Sequence, residues 1–167
     1  MSLHDQSLVA RRGAAAVGRL TDVPALEAAV ILYLRMWFHD GDNRARVQQD
    51  FDDVLGEGQA RTIMQGLDQF CTLLLQHGRR PFVHHGLKCS CLGADESCLA
   101  QVIASAASGE TEDAMLMASL MVRAEMAPCL TALATDFGLS VRRLIGRRNR
   151  SKPWALATRR PPSAPLH

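Results

Sequence analysis

Apolar residues recur with helical spacing over residues 59–77, and this pattern most constrains the fold. They stand three or four positions apart, and most of the positions between them are polar. The members of this stripe are Ala60, Ile63, Met64, Leu67, Phe70, Cys71 and Leu74. A helix with a continuous apolar face must bury that face against other elements. The segment therefore predicts a long helix that packs into a core.

Similar patterns and capping residues predict further helices on both sides of this segment. We expect them over residues 25–39, 43–55, 96–107, 111–126, 128–137 and 141–148. Residues 25–39 are apolar on nearly all sides, which is typical of a central helix. Aromatic residues make up only 5% of the chain, and no strand of useful length is evident. The predicted fold is all-α, a single-domain bundle of six or seven helices with a disordered basic C-terminal tail.

Composition and charge divide the chain into three regions. Residues 1–20 lack periodicity and predict a flexible N-terminal arm, residues 21–148 form the helical domain, and residues 149–167 form a basic, proline-containing tail. Residues 142–167 carry eight basic residues and no acid, whereas residues 1–141 hold more acidic than basic residues. An acidic body with a basic end predicts contact with nucleic acid, a membrane surface, an acidic partner or the body itself.

No segment of the sequence predicts a membrane span or a secretory signal. The most apolar stretch, residues 25–38, is interrupted by Glu27 and Arg35 and is shorter than the roughly 20 residues that a spanning helix needs. We therefore expect a cytoplasmic protein, and the Arg- and Ala-rich composition indicates a bacterial source. The odd number of cysteines and this compartment together predict reduced thiols rather than a disulfide framework.

Residues 84–98 concentrate the reactive side chains of the chain. Three of the five cysteines and two of the six histidines lie in this loop and at the start of the next helix: His84, His85, Cys89, Cys91 and Cys98. Thiolate sulfur and imidazole nitrogen are preferred zinc ligands, and three thiolates with one imidazole make a chemically sound set. The sequence therefore predicts a Zn²⁺ site here, although cysteine pairs in zinc sites usually have two to four residues between them.

The same residues support two other interpretations. In a redox interpretation, Cys98 is the low-pKa thiol because the N-terminus of a helix stabilises a thiolate, and Cys89 or Cys91 is the resolving thiol. In a structural interpretation, Cys98 packs beneath its helix and the other two cysteines line the loop.

Residues 133–144 have the spacing of a helix-turn-helix. Ala134 stands four residues before Gly138, Leu139 follows the glycine, Ser140 begins the next predicted helix and Leu144 lies six residues after the glycine. This pattern resembles the first helix-turn-helix of arabinose-regulator-type transcription factors. The resemblance covers about 16 residues and departs from the family at Gly146 and Arg147, where the recognition helix should continue.

This resemblance implies that the second helix enters the DNA major groove. The residues expected to contact nucleic acid are Ser140, Arg142, Arg143, Arg147 and Arg148. Ordinary helix capping explains the same glycine and serine equally well, so both interpretations stay open.

These observations predict a cytoplasmic bacterial regulatory or adaptor protein whose loop 84–98 binds zinc or senses redox state, and which acts through a protein partner. One alternative is a helix-turn-helix-like transcriptional regulator that binds DNA through residues 130–150 and the basic tail. Another is a small helical enzyme or cofactor-binding protein, which is less favoured because the sequence contains no familiar phosphate-binding or hydrolase motif. A homo-oligomer is compatible with each of these.

Overall fold

The computed structural model describes residues 12–151, and the predicted all-α fold is confirmed there. The helices follow one another with short connections, apart from one longer loop between the third and the fourth. Their bounds are α1 (Ala25–His39), α2 (Gly41–Leu55), α3 (Glu57–His77), α4 (Ala94–Ser108), α5 (Thr111–Met121) and α6 (Ala127–Ser151). The predicted tail from residue 152 onward lies outside the described residues, as do residues 1–11.

One apolar cluster joins all six helices. The stripe predicted over residues 59–77 lies on the inner face of α3, where five of its seven members are buried and the other two pack against the cluster. Helix α6 packs along α4 and also contacts the other four helices. Across residues 12–151, no helix combines the length and the apolar character that crossing a bilayer requires.

Two strands, each of four residues or fewer, accompany the helices. Strand β1 (Ala16–Arg19) pairs antiparallel with β2 (Cys91–Gly93), with an irregular register near Gly18. Residues just outside the strands extend this pairing, because Leu20 N–H donates to the Ser90 carbonyl and Ala94 N–H donates to the Ala15 carbonyl. The N-terminal segment therefore lies along the loop that carries the cysteines.

Arginine side chains close the C-terminal ends of four helices. Carbonyl groups in the last turn of a helix lack intrahelical partners and carry partial negative charge, so a guanidinium group satisfies both needs. Only two of the 19 basic residues are lysines, and the forked geometry of arginine suits this task better. Each arginine side chain donates to one backbone carbonyl near a helix end: Arg44 to Trp37 of α1, Arg147 to Val54 of α2, Arg142 to Ala107 of α4, and Arg79 to Ser119 of α5.

The predicted helix end at Gly138 is wrong, because residues 127–151 form one continuous helix. Gly138 is buried where α6 crosses α4. A Cβ atom placed on it would lie 2.8 Å from the Ala107 Cβ and 2.9 Å from the Ile103 carbonyl oxygen. The glycine thus permits the close approach of two helices rather than ending one of them. Residues 133–144 consequently lack the turn of a helix-turn-helix.

Two glycines of α6 allow a direct test of this packing. We expect Gly138→Ala to lower the free energy of unfolding by about 1–3 kcal/mol, because the new methyl group meets α4. Gly146→Ala is the matched control. A Cβ there would meet only the Arg150 side chain at 3.7 Å, so we expect about 0.5–1 kcal/mol of stabilisation from the better helix propensity of alanine. Urea denaturation of both variants measures the difference, and a stabilised Gly138→Ala protein would contradict the close crossing.

Candidate thiol site

A buried ion pair between Arg35 and Glu96 organises the loop that carries the cysteines. Arg35 lies in the middle of α1, Glu96 lies in the first turn of α4, and the two residues are only 1% and 2% exposed. Two parallel hydrogen bonds join them, at 2.6 Å from Arg35 Nε to Oε1 and 2.7 Å from Nη2 to Oε2. Such a pair is tolerated in a protein interior only when its other polar atoms also find partners.

The remaining hydrogen bonds of this pair hold the loop between α3 and α4. Arg35 donates to backbone carbonyl groups, and Glu96 accepts from backbone N–H groups. The carbonyl acceptors are Cys89 and Cys91, each at 2.6 Å, and Gly86 at 3.3 Å, while the donors to Glu96 are His85 N–H at 3.0 Å and Gly93 N–H at 2.9 Å. The loop is therefore wrapped around one buried pair of opposite charges.

The Glu96 carboxylate is stabilised in its ionised form. Burial alone would raise its pKa, but the hydrogen bonds from Arg35 and from two backbone N–H groups outweigh that effect and hold the pKa below its usual value. Glu96 is therefore negatively charged at neutral pH, as its pairing with Arg35 requires.

The neighbouring Asp95 fixes the start of the loop. Its carboxylate binds the Arg80 guanidinium through both oxygens and accepts a hydrogen bond from Val83 N–H at 3.1 Å. The prediction that Asp95 caps the helix is wrong, because α4 begins at Ala94 and the Asp95 side chain is used for the loop instead. Two consecutive acids at the start of α4 thus hold both halves of the loop.

Three of the five predicted ligand residues lie together inside this loop. The Cys89 Sγ is 3.6 Å from the His85 Nδ1, and the Cys91 N–H donates to the same sulfur at 3.4 Å. The Cys91 thiol lies close enough to Cys89 for that residue to raise its pKa. The result is a cluster of two thiols and one imidazole, which we call the thiol cluster.

The His85 ring is held in one orientation by the N-terminal segment. Its Nε2 lies 3.0 Å from the Ala14 carbonyl oxygen, which can only accept a hydrogen bond, so Nε2 carries the proton of the neutral ring. The unprotonated Nδ1 then faces Cys89. The ring also rests against Gly93, where a Cβ atom would lie 2.9 Å from the His85 Cδ2, so this position accommodates only glycine without a shift.

One thiol of the cluster is placed beside the imidazole. Interaction with Cys89 raises the pKa of Cys91, so Cys91 is a thiol at neutral pH. The Cys89 sulfur contacts the His85 Nδ1, and this contact makes Cys89 the candidate nucleophile of the cluster.

Cys98 lies in a different environment from the thiol cluster. It is half-buried in a cavity of about 100 Å³ that is lined by the Arg80–Asp95 pair and by apolar side chains. Burial, with a smaller contribution from the charge on Asp95, raises the pKa of the Cys98 thiol. The expectation that Cys98 is the low-pKa thiol is wrong, because burial and the charge on Asp95 outweigh the lowering effect of the Arg80 charge on its pKa.

His84 is also directed away from the thiol cluster. Its ring stacks on Phe38, with centroids 5.0 Å apart and an interplanar angle of 15°, and lies near Phe82. Within residues 12–151, no group of three or more His, Cys, Asp or Glu side chains is arranged to hold one metal ion. The zinc site of five ligands stays a prediction, with His84 and Cys98 in environments separate from the other three residues.

The residues predicted to contact nucleic acid lie on α6, where several have partners within the protein. Arg142 and Arg147 close the ends of neighbouring helices, and Arg148 Nη2 lies 2.8 Å from the Asp50 carboxylate. Ser140 is 8% exposed, and its hydroxyl donates to a carbonyl of its own helix. Arg143 is exposed to solvent. The continuous helix does not present these residues as a separate recognition helix.

Sequence reasoning missed the ion pair and the orienting carbonyl of Ala14. A signal for the first exists, because Arg35 is a charged residue within the otherwise apolar segment 25–38. A charge in such a helix needs a buried partner. The contact with Ala14 could not be predicted from the sequence, because every residue has a backbone carbonyl group and the residue type does not show which one is used.

We expect Glu96→Gln to lower the free energy of unfolding by about 3 kcal/mol at neutral pH, because Arg35 is left buried without an opposite charge. Since the pKa of Glu96 is lower in the folded protein, its stabilising contribution is complete above the unfolded value of about 4.3 and is lost as the pH falls further. The variant should thus lose less stability between about pH 5 and pH 3 than the parent.

The matched control is Glu57→Gln, which changes an exposed acid in the first turn of α3. We expect it to change stability by less than about 0.5 kcal/mol. Denaturant titrations at several pH values measure both quantities. Equal effects of the two substitutions would contradict a structural role for the buried pair.

Comparison of this chain with protein-family models, with curated proteins and with solved structures found no match.

Proposed function

We propose that this chain is a thiol-based redox regulatory protein in which Cys89 is the reactive thiol. The observation that carries the proposal is the 3.6 Å contact between the Cys89 Sγ and the His85 Nδ1, with the other nitrogen of the ring held by Ala14. A nucleophile, a base and a group that orients the base, in this order, are the arrangement that activates a cysteine. Cys91 is the resolving thiol.

The reaction that we propose uses a hydroperoxide as the oxidant. His85 accepts the Cys89 proton, and the thiolate attacks the terminal hydroxyl oxygen of the hydroperoxide, so that an S–O bond forms and the O–O bond breaks. The His85 imidazolium returns the proton to the departing oxygen, which leaves as an alcohol or as water. Cys91 then attacks the sulfur of the Cys89 sulfenic acid. The S–S bond forms, the S–O bond breaks and water leaves, with the Cys91 proton completing that water. Two thiols are oxidised and one peroxide is reduced.

The backbone of the cluster connects this reaction to the rest of the fold. Arg35 binds the carbonyl groups of both Cys89 and Cys91, and Cys91 is the first residue of β2. A disulfide between residues two positions apart closes a small ring and must rotate the peptide groups within it. That rotation acts on the Arg35–Glu96 pair and on the pairing of β2 with β1, so the oxidised protein presents an altered surface to a protein partner.

Zinc binding is a competing proposal for the same cluster. His85, Cys89 and Cys91 offer donor atoms that zinc accepts, but they are not arranged to hold one metal ion among residues 12–151, so zinc binding would require the loop to rearrange and a fourth ligand to come from water or a partner. Zinc binding and thiol oxidation both require a Cys89 thiolate. A measurement of thiol reactivity alone therefore cannot distinguish the two proposals, whereas a measurement of the metal content of the protein can.

We expect hydroperoxide treatment to form a disulfide between Cys89 and Cys91, because the Cys91 N–H and thiol already contact the Cys89 sulfur. In Cys91→Ser the reaction should stop at a sulfenic acid on Cys89, which dimedone traps and peptide mass spectrometry locates. Cys129→Ser serves as the background variant, because that exposed thiol lies outside the cluster.

Two results would contradict the proposal. One is dimedone labelling of Cys98 at a rate equal to that of Cys89. The other is about one equivalent of zinc in protein purified without added metal, together with thiols that stay protected until a chelator removes the ion. The second result would establish the zinc alternative.

We expect His85→Ala to slow the alkylation of Cys89 by iodoacetamide at neutral pH by about tenfold or more, the size typical of a positioned base. The physical reason is the loss of the imidazole that accepts the Cys89 proton. His39→Ala is the control, because His39 is an exposed residue at the end of α1. Equal alkylation rates in the two variants would show that His85 does not activate the thiol.

A further inference from the structure

A second surface, independent of the thiol cluster, lies on the outer side of α6. Four arginines surround Gly146 and, together with Leu139, line a shallow cleft of about 380 Å³: Arg142, Arg143, Arg147 and Arg150. No acidic residue among residues 12–151 lines this cleft. We propose that it binds the phosphodiester backbone of a nucleic acid, without reading its sequence.

Two of the four arginines are held in place without losing their charge. Arg142 donates to the Ala107 carbonyl at 2.9 Å and to the Ser108 hydroxyl at 3.0 Å, and Arg147 donates to the Val54 carbonyl. These partners are neutral, so they fix the guanidinium groups but do not neutralise them. Side chains that are already ordered lose less conformational entropy when a ligand binds.

The positive charge of this face is not balanced by neighbouring carboxylates. Within the part of the chain that the structure describes, none of the four cleft arginines forms an ion pair, whereas the adjacent Arg148 is paired with Asp50. Four like charges along about three turns of one helix produce a strong local potential, which attracts a polyanion.

The glycine at the centre of the cleft leaves room for a phosphate group. A Cβ atom on Gly146 would meet only the Arg150 Nη1, at 3.7 Å. A group bound above Gly146 can therefore be contacted from both sides by guanidinium groups. These bind phosphate oxygens in a forked geometry that lysine does not provide.

The arrangement favours a nucleic acid over a membrane or an acidic protein. From Arg143 to Arg150 the helix rises about 10 Å, so the cleft is long enough to contact more than one phosphate of a strand. The sequence beyond residue 151 adds Lys152, Arg159 and Arg160 without an acid, so the basic composition continues along the chain. Among residues 12–151, Leu139 is the only large apolar residue that lines the cleft, which leaves little area for insertion into a bilayer.

The test is fluorescence anisotropy of the full chain with a labelled duplex DNA and a labelled single-stranded RNA, each of about 20 residues per strand. For four phosphate contacts with the duplex, we expect affinity to fall about a hundredfold between 50 and 200 mM salt. The double variant R143A/R150A should reduce that loss to about tenfold. It leaves in place the two arginines that close helix ends. The relative affinities for the two probes show whether duplex or single-stranded backbone is preferred.

The matched control is R46A/R61A, which removes the same charge from exposed positions on α2 and α3. Retention of the parent salt dependence in this control, with its reduction in R143A/R150A, supports the cleft. Equal effects of the two double variants, or affinity that does not depend on salt, overturn the proposal. Binding to phosphatidylserine vesicles or to poly-glutamate that depends on Arg143 and Arg150, without nucleic-acid binding, also overturns it.

Discussion

The buried ion pair between Arg35 and Glu96 is the interaction on which the cysteine loop depends. Neither charge is stable alone in the interior, and each uses its remaining hydrogen-bonding capacity on the backbone of residues 85–93. The loop has no extensive secondary structure of its own, so these contacts substitute for a hydrogen-bonded ladder. The position of Cys89 relative to His85 is therefore a consequence of charge burial between α1 and α4, and not of local propensity.

Arginine performs a related task elsewhere in the molecule. In each case a guanidinium group from one helix or connection satisfies the exposed carbonyl end of another, and this ties neighbouring elements together. Helix α6 supplies two of these groups, Arg142 and Arg147, because it crosses the bundle close to the ends of α4 and α2. The basic character of this helix is thus partly structural. Since the partners are neutral carbonyl groups, the same residues retain their charge for an anionic ligand.

Periodicity and capping residues predicted the helical core because burial of an apolar face depends only on spacing along the chain. The stripe of α3 illustrates this, and so does the end of α4 at Gly109. Gly138 shows where such reasoning fails. In the sequence, a glycine that ends a helix cannot be distinguished from a glycine that allows a neighbouring helix to pack closely. The fold distinguishes them here, because Ile103 of α4 lies against Gly138. The sequence shows that thiols are concentrated between residues 89 and 98, but the separate environment of Cys98 depends on tertiary contacts with Asp95 and Arg80.

In the proposed function, the reactivity of Cys89 depends on His85 more than on the nearby guanidinium group. Arg35 lies against the backbone of the thiol cluster, but its charge is largely balanced by Glu96, which limits its effect on a thiolate. The imidazole is then the group that accepts the thiol proton, and the Ala14 carbonyl sets its tautomer. Ala14 belongs to the segment that leads into β1, and β1 pairs with the strand that begins at Cys91. The proposal therefore couples thiol activation to the docking of the N-terminal segment, because displacement of that segment would remove the group that orients the base.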